Sequence, residues 1–247
     1  MLNNMMLENF FQNIDIPKNA SVLDVGCQSA NALKWIKERY NLNGRLVGVD
    51  KMDKNFEDTE TQKELGISLL QMDVAKSLDF PDETFDVVFN CNTLECFPDI
   101  DAHIKELHRV LKPNGIIVCV HQDWENIVFN GKNKELINKS IYGYANFLQE
   151  GWMDACDGWI GRRVWGYFNK TKLFKGNISI YNKIETDYVE GTAGYQYITE
   201  MDYFIEPEGF LTQTEYEELL ADMKSTYDTG EYICNFPYYA YKGVKKQ

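Results

Sequence analysis

The first half of the chain alternates short apolar runs with stretches of helical spacing. Ser21–Val25, Arg45–Val49, Ile67–Gln71, Phe85–Phe89 and Ile116–Val120 carry few polar interruptions, the pattern of strands buried on both faces. Between them, Ala30–Tyr40 sets Leu33, Trp35, Ile36 and Tyr40 at helical positions, and Asp101–Leu111 does the same with Ile104, Leu107, Val110 and Leu111. A more polar helix is predicted over Glu57–Leu65, and Lys112-Pro-Asn-Gly115 is read as the stop after the Asp101 helix. Strands separated by helices in this way predict an α/β fold with a parallel sheet covered on both sides and right-handed crossovers. Ligands of such sheets bind beyond the carboxyl ends of the strands, where the strand order reverses.

The second half is patterned differently. Glu135–Leu148 and Thr214–Tyr227 read as helices, the latter with Thr212 or Thr214 as cap and Gly230 near its end. Asn177–Val189 alternates like a strand, Glu231–Tyr241 looks like a final strand, and Gly151–Trp165, rich in Trp and Gly, has no assignable period. Of the 15 tyrosines only Tyr40 precedes Tyr142. No repeat or low-complexity linker divides the halves. A single domain over 1–247 is expected, with one part at 20–125 and another at 126–247.

Charge and composition narrow the partners. With 25 basic and 38 acidic residues the net charge is −13, which disfavours nucleic acid, whose phosphates call for a basic face. The six cysteines form no C-x-x-C pair and the three histidines are scattered, so no metal site is expected. The first residues lack a basic, apolar leader pattern, and no apolar run reaches the ~18 residues of a membrane span. A reduced, cytoplasmic setting without membrane attachment is the expectation.

The strand ends carry the candidate chemistry. Asp24-Val-Gly26-Cys-Gln28 follows the first apolar run; a strand–Gly–helix turn brings backbone N–H groups and a helix N-terminus to a ligand. The dinucleotide pattern G-x-G-x-x-G is missing, which argues against a pyrophosphate cofactor. Asp50 ends the second run, and its two carboxylate oxygens suit the two hydroxyls of a ribose. Asp73 follows the third run and suits an exocyclic amine, with Met52 and Val74 as apolar walls for a base.

This set resembles the class I S-adenosylmethionine-dependent methyltransferases. Val22-Leu-Asp-Val-Gly-Cys27, Leu46-Val-Gly-Val-Asp50, Gln71-Met-Asp-Val74, Phe80–Phe89 and Val110-Leu-Lys-Pro-Asn-Gly-Ile116 stand in the family's order, with Thr93–Asp99 where the family has its strand-four loop. The later part, including Trp159-Ile-Gly-Arg-Arg163, looks more loosely like the small-molecule, quinone-methyltransferase-like branch. The resemblance implies a Rossmann-like sheet of seven strands, mostly parallel with the last antiparallel, carrying a helical and aromatic substrate-covering insertion. It implies S-adenosyl-L-methionine as cofactor and a small-molecule methyl acceptor. Asp24 and Gly26 would line the methionine end, Asp50 would hold the ribose, Asp73 and Val74 the adenine, and Asn90 would sit near the methionine amino group.

One departure concerns Gln28 and Ala30, which stand where the family usually has glycines. A Gln there crowds the cofactor, turns away, or bonds its carboxylate tail. A protein that binds partners without catalysis, or a methyltransferase acting on protein or RNA, are the alternatives. For an acceptor that must lose a proton, His121, Glu95 and Asp123 are the candidate bases. Trp124, Trp152, Trp159 and Tyr195 are candidates to surround the acceptor, and Arg162 or Arg163 to bind a carboxylate on it.

Overall fold

In a computed structural model, residues 3–52, 63–207 and 209–246 are described. The polar helix expected over 57–65 lies largely outside them. Eight strands form one sheet in the order β3-β2-β1-β4-β5-β8, with β6 and β7 both paired to β8. They are β1 (Val22–Val25), β2 (Leu46–Asp50), β3 (Ile67–Gln71), β4 (Phe85–Cys91), β5 (Leu111–Gln122), the two-residue β6 (Val128–Phe129), β7 (Phe174–Glu185) and β8 (Cys234–Lys245). β1 to β5 pair parallel, and β8 runs antiparallel to β5, β6 and β7. Seven long strands with one reversed, the last in the chain, agree with the sequence reading; β6 is a short addition along β8.

The described helices are α1 (Asn4–Phe10), α2 (Asn31–Tyr40), α3 (Ile100–Val110), α4 (Lys134–Asn146), α5 (Ile160–Thr171), α6 (Ala193–Thr199) and α7 (Gln213–Asp228). Consecutive strand residues point to opposite faces of the sheet. Val22 therefore packs with α1 and α2 residues Phe10, Leu33 and Ile36, in a cluster that also takes Leu136, Ile198 and Leu219 from the second half. Leu23 and Val25 pack on the other face with Ile104 and Leu107 of α3 and with Ile160, Val164 and Phe168 of α5. Both clusters draw on both halves of the chain.

Two local differences from the sequence reading have simple causes. The Lys112–Gly115 stretch, expected as a turn, lies inside β5, because the pairing register shifts between Phe85 and Val87 and lets the strand begin directly after α3. Helix α5 was hidden in the Trp- and Gly-rich stretch; its buried positions Ile160, Val164 and Phe168 recur every fourth residue. Thr212 caps α7 as expected, with Glu215 completing a capping box.

Candidate active site

β1 is flanked by β2 on one side and β4 on the other, so the strand order reverses at β1 and β4. There, at the carboxyl ends, lies a cleft of about 290 Å³. Gly26 and Gln28 after β1, Asp50 to Met52 at the end of β2, and Asp73 to Ala75 after β3 line one side. Asn92, Thr93, Cys96 and Phe97 from the loop after β4, with Trp152 and Asp154, line the other.

The turn after β1 is built for close packing. Gly26 has φ of +75°, and a Cβ there would stand 2.4 Å from Thr93 Oγ1, so glycine is required by the loop after β4 pressing on it. Gln28 and Ala30 also have positive φ, +46° and +58°, so the turn keeps a left-handed path without the usual glycines. The Gln28 N–H donates to Asp50 Oδ2 at 2.9 Å, and the Met52 N–H donates to Asp50 Oδ1 at 2.9 Å. The Gln28 side chain is exposed. The turn and the end of β2 are thus tied together through one carboxylate.

Acidity is concentrated around this cleft. Asp24 is buried beside Asp50; burial and then the neighbouring Asp50 push its carboxyl up to about 8. Asp73 is held below the usual carboxylate range, chiefly by its bond to Lys76, whose Nζ is 2.9 Å away. Lys51 reaches across to Asp154 at 3.1 Å and joins the end of β2 to the roof segment. The Asp154 and Ala155 N–H groups both donate to the Cys96 carbonyl at 3.2 Å, fixing that segment onto the loop after β4.

The sequence-derived candidates divide clearly. Gly26, Gln28, Asp50, Met52, Asp73, Val74 and Trp152 line the cleft. Asn90 does not: it is fully buried, donates to the Val25 carbonyl at 3.1 Å and accepts from the Cys119 thiol. Because β4 runs on to Cys91, the cleft is reached two residues later, by Asn92. Asp24 lies buried outside the lining.

Two of the three candidate bases, His121 and Asp123, are committed to other partners. His121 is fully buried, and its Nε2 already accepts from the Thr93 and Leu94 N–H groups at 3.0 and 2.9 Å. Burial pushes its pKa down to about 3. With that lone pair taken, it is not placed to remove a proton from an acceptor. Asp123, likewise fully buried, takes the Arg162 N–H at 2.8 Å and Nε at 2.7 Å, and also pairs with Arg162 Nη2. That pairing removes both Asp123 as base and Arg162 as a carboxylate clamp. Arg163 pairs with Asp157 at 2.7 Å outside the cleft. Glu95 is buried behind Thr93 and Cys96, and burial pushes its carboxyl up to about 7.

The remaining aromatic candidates, Trp124, Trp159 and Tyr195, do not line the cleft. Trp124 lies against Tyr144, and Tyr195 against Tyr188, with ring centroids 5.5 and 5.2 Å apart. Trp159 stacks under Arg162 and Arg163 and bonds Glu125. Lys51, Ala75, Asn92, Thr93, Cys96, Phe97 and Asp154 were missed as individual cleft residues; Thr93–Asp99 was signalled as a strand-four loop, whereas Lys51 and Asp154 meet only through the fold.

Together, the sheet order and the reversed last strand define a mostly parallel α/β sheet with carboxylates clustered at adjoining strand ends. Residues 23–119 match the family model described as a methyltransferase domain. A demethylmenaquinone methyltransferase of Staphylococcus epidermidis is 32% identical over 109 residues, 43% of this chain and 45% of that protein. The chain therefore matches less than half the length of that relative. Among solved structures, the YcgJ protein of Bacillus subtilis superposes with a TM-score of 0.64 at 15% identity, covering 99% of this chain and 100% of that one. Phosphoethanolamine N-methyltransferase 2 of Haemonchus contortus, solved with phosphomonomethylethanolamine and S-adenosylhomocysteine, has a TM-score of 0.58 at 18% identity, over 99% and 52% of the two chains. These structural likenesses establish the fold. Among the described residues no helix is long and apolar enough to cross a membrane.

Proposed function

We propose that the chain is an S-adenosylmethionine-dependent methyltransferase acting on a small molecule. The observation that carries this reading is the single cleft at the strand ends that Gly26, Asp50 and Asp73 line together. The two oxygens of the Asp50 carboxylate suit the two hydroxyls of a ribose. Asp73 and Val74 lie on the same side for an adenine, with Met52 as an apolar wall. The excess of carboxylates around the cleft favours a cationic sulfonium over an anionic cofactor. The residues present therefore fit S-adenosylmethionine, and the positive-φ path through Gln28 and Ala30 preserves the turn on which it depends.

When bound, the cofactor supplies an electrophilic methyl group on a sulfonium for in-line displacement by the acceptor. The chain's own contribution is orientation: Asp50 and Asp73 fix the nucleoside end, and Trp152 and Asp154, which pairs with Lys51, line the opposite wall. No general base is required where the acceptor atom carries a lone pair at neutral pH. The chain up to residue 125 holds the cofactor in this reading, and 126–247 covers the acceptor. The methyltransferase names among the sequence relatives support a small-molecule acceptor.

The test is a calorimetric titration of the purified protein with S-adenosylmethionine and S-adenosylhomocysteine, repeated with Asp50→Ala. Binding by the wild type that falls by about a hundredfold in the variant is expected, the loss from charge-assisted hydrogen bonds to two hydroxyls. Absence of binding by the wild type overturns the proposal.

A further inference from the structure

We propose that His121 is a positioning residue: it holds the loop after β4 in the shape that forms one wall of the cofactor cleft. This rests on the S-adenosylmethionine reading of the cleft. The loop supplies Asn92, Thr93, Cys96 and Phe97 to the cleft. A single 3₁₀ turn, Leu94–Cys96, is its only regular structure, and the side chain of its N-cap residue, Thr93, makes no capping hydrogen bond. Its first backbone donors therefore need an acceptor from elsewhere. His121 Nε2 supplies it, taking the Thr93 and Leu94 N–H groups at 3.0 and 2.9 Å.

The acceptor sits on a rigid base. His121 lies near the end of β5, in register with Tyr239 of β8, and is fully buried. Its other nitrogen, Nδ1, stands 3.1 Å from Glu95 Oε2. That contact is within ion-pair distance but outside hydrogen-bond geometry, and neither atom has another hydrogen-bond partner among the described residues. Both ring nitrogens thus face the same loop. An Nε2 that accepts two N–H groups is unprotonated, so the neutral ring carries its proton on Nδ1. The next residue repeats the grip: the Gln122 N–H donates to Asn92 Oδ1 at 2.9 Å, and Asn92 Nδ2 donates to Gln122 Oε1 at 2.8 Å. Two successive residues of β5 therefore hold the loop, and the Asp154 and Ala155 N–H groups hold its Cys96 carbonyl.

His121→Gln and His121→Leu separate positioning from proton transfer. The Gln side chain reaches the place of Nε2 with an oxygen that accepts, and the Leu side chain fills the space without an acceptor. Titration with S-adenosylhomocysteine is expected to give His121→Gln an affinity within about threefold of wild type, and His121→Leu one about tenfold weaker or worse, the loss that follows from unpaired buried donors. Equal affinities for wild type and His121→Leu overturn the inference. So does a His121→Gln variant as weak as His121→Leu. Should His121→Leu not fold, the imidazole ¹⁵N shifts of the wild type at neutral pH give an independent answer. The Nδ1–H tautomer with an unprotonated Nε2 is expected, and the Nε2–H tautomer or a protonated ring overturns the inference. A wild type that binds no S-adenosylhomocysteine fails the cofactor reading instead, and the tautomer still reports whether the ring accepts from the loop.

Discussion

Removing Arg162 tests whether the Trp159–Arg163 motif is a clasp or a substrate clamp. Helix α5 begins without a side-chain cap of its own. Asp123 supplies one from the end of β5, accepting the Arg162 backbone N–H at 2.8 Å as well as its guanidinium. Gly161 makes the docking close: a Cβ there would lie 2.7 Å from the Asp123 nitrogen. One carboxylate therefore satisfies an orphan donor at a helix N-terminus, complements the helix dipole and pairs with a cation.

Removing the partner of a buried charge costs about 3–5 kcal/mol. Arg162 keeps 35% of its side chain in water, which draws the expected cost of Arg162→Ala down to ~2–3 kcal/mol. Asp123→Ala loses the cap too, at ~1 kcal/mol more. Urea unfolding of the wild type, both single variants and the double variant closes a thermodynamic cycle. The double variant is expected to be hardly less stable than Asp123→Ala alone. A loss below ~0.5 kcal/mol for Arg162→Ala, within the range of ordinary surface substitutions, would refute the clasp. The alternative, a clamp on an acceptor carboxylate, predicts unchanged stability and a raised KM for the acceptor.

Three further outcomes are expected. Asp24 has a folded-state pKa of about 8, so the ligand-free protein holds a proton that the unfolded chain releases near pH 4. Its burial therefore costs stability progressively as pH rises from about 4 to 8, at ~1.4 kcal/mol per pH unit at most; Asp24→Asn should gain stability over wild type at pH 8 and little at pH 4, by urea unfolding. His121 acts with the opposite sign: its pKa of about 3 means the unfolded chain takes a proton below about pH 6.5 that the folded state refuses. His121→Gln should flatten the acid loss of stability between those values. Gln28→Ala should leave S-adenosylhomocysteine affinity within about threefold of wild type, because the bond to Asp50 uses backbone N–H and survives the substitution; a tenfold change in calorimetry would show that the exposed side chain contacts the cofactor.

Which residues were legible in sequence follows from how each reaches the cleft. Asp50, Asp73 and Gly26 were readable because a parallel sheet brings successive strand ends to one edge, so local position alone places them. Asn90 misled because the apolar run stops at Phe89 while the strand continues to Cys91, and a two-residue extension keeps Asn90 in the core and presents Asn92. His121 and Arg162 misled for a different reason. Residue type suggested proton transfer and anion binding, but His121 Nε2 and the Arg162 guanidinium are committed to partners 27 or more residues away in sequence, at Leu94 and Asp123. The tyrosine-rich half shows the same limit. Tyr188, Tyr197, Tyr232, Tyr238 and Tyr241 are buried, in ring contacts that join α6 to β6 and α5 to β8, so the excess of tyrosine mainly reflects how this half fills its core. Chain order can reveal which residues end strands. Whether a buried polar side chain faces a ligand or holds a loop depends on which of its atoms remain unpaired, and that is decided only by the packed fold.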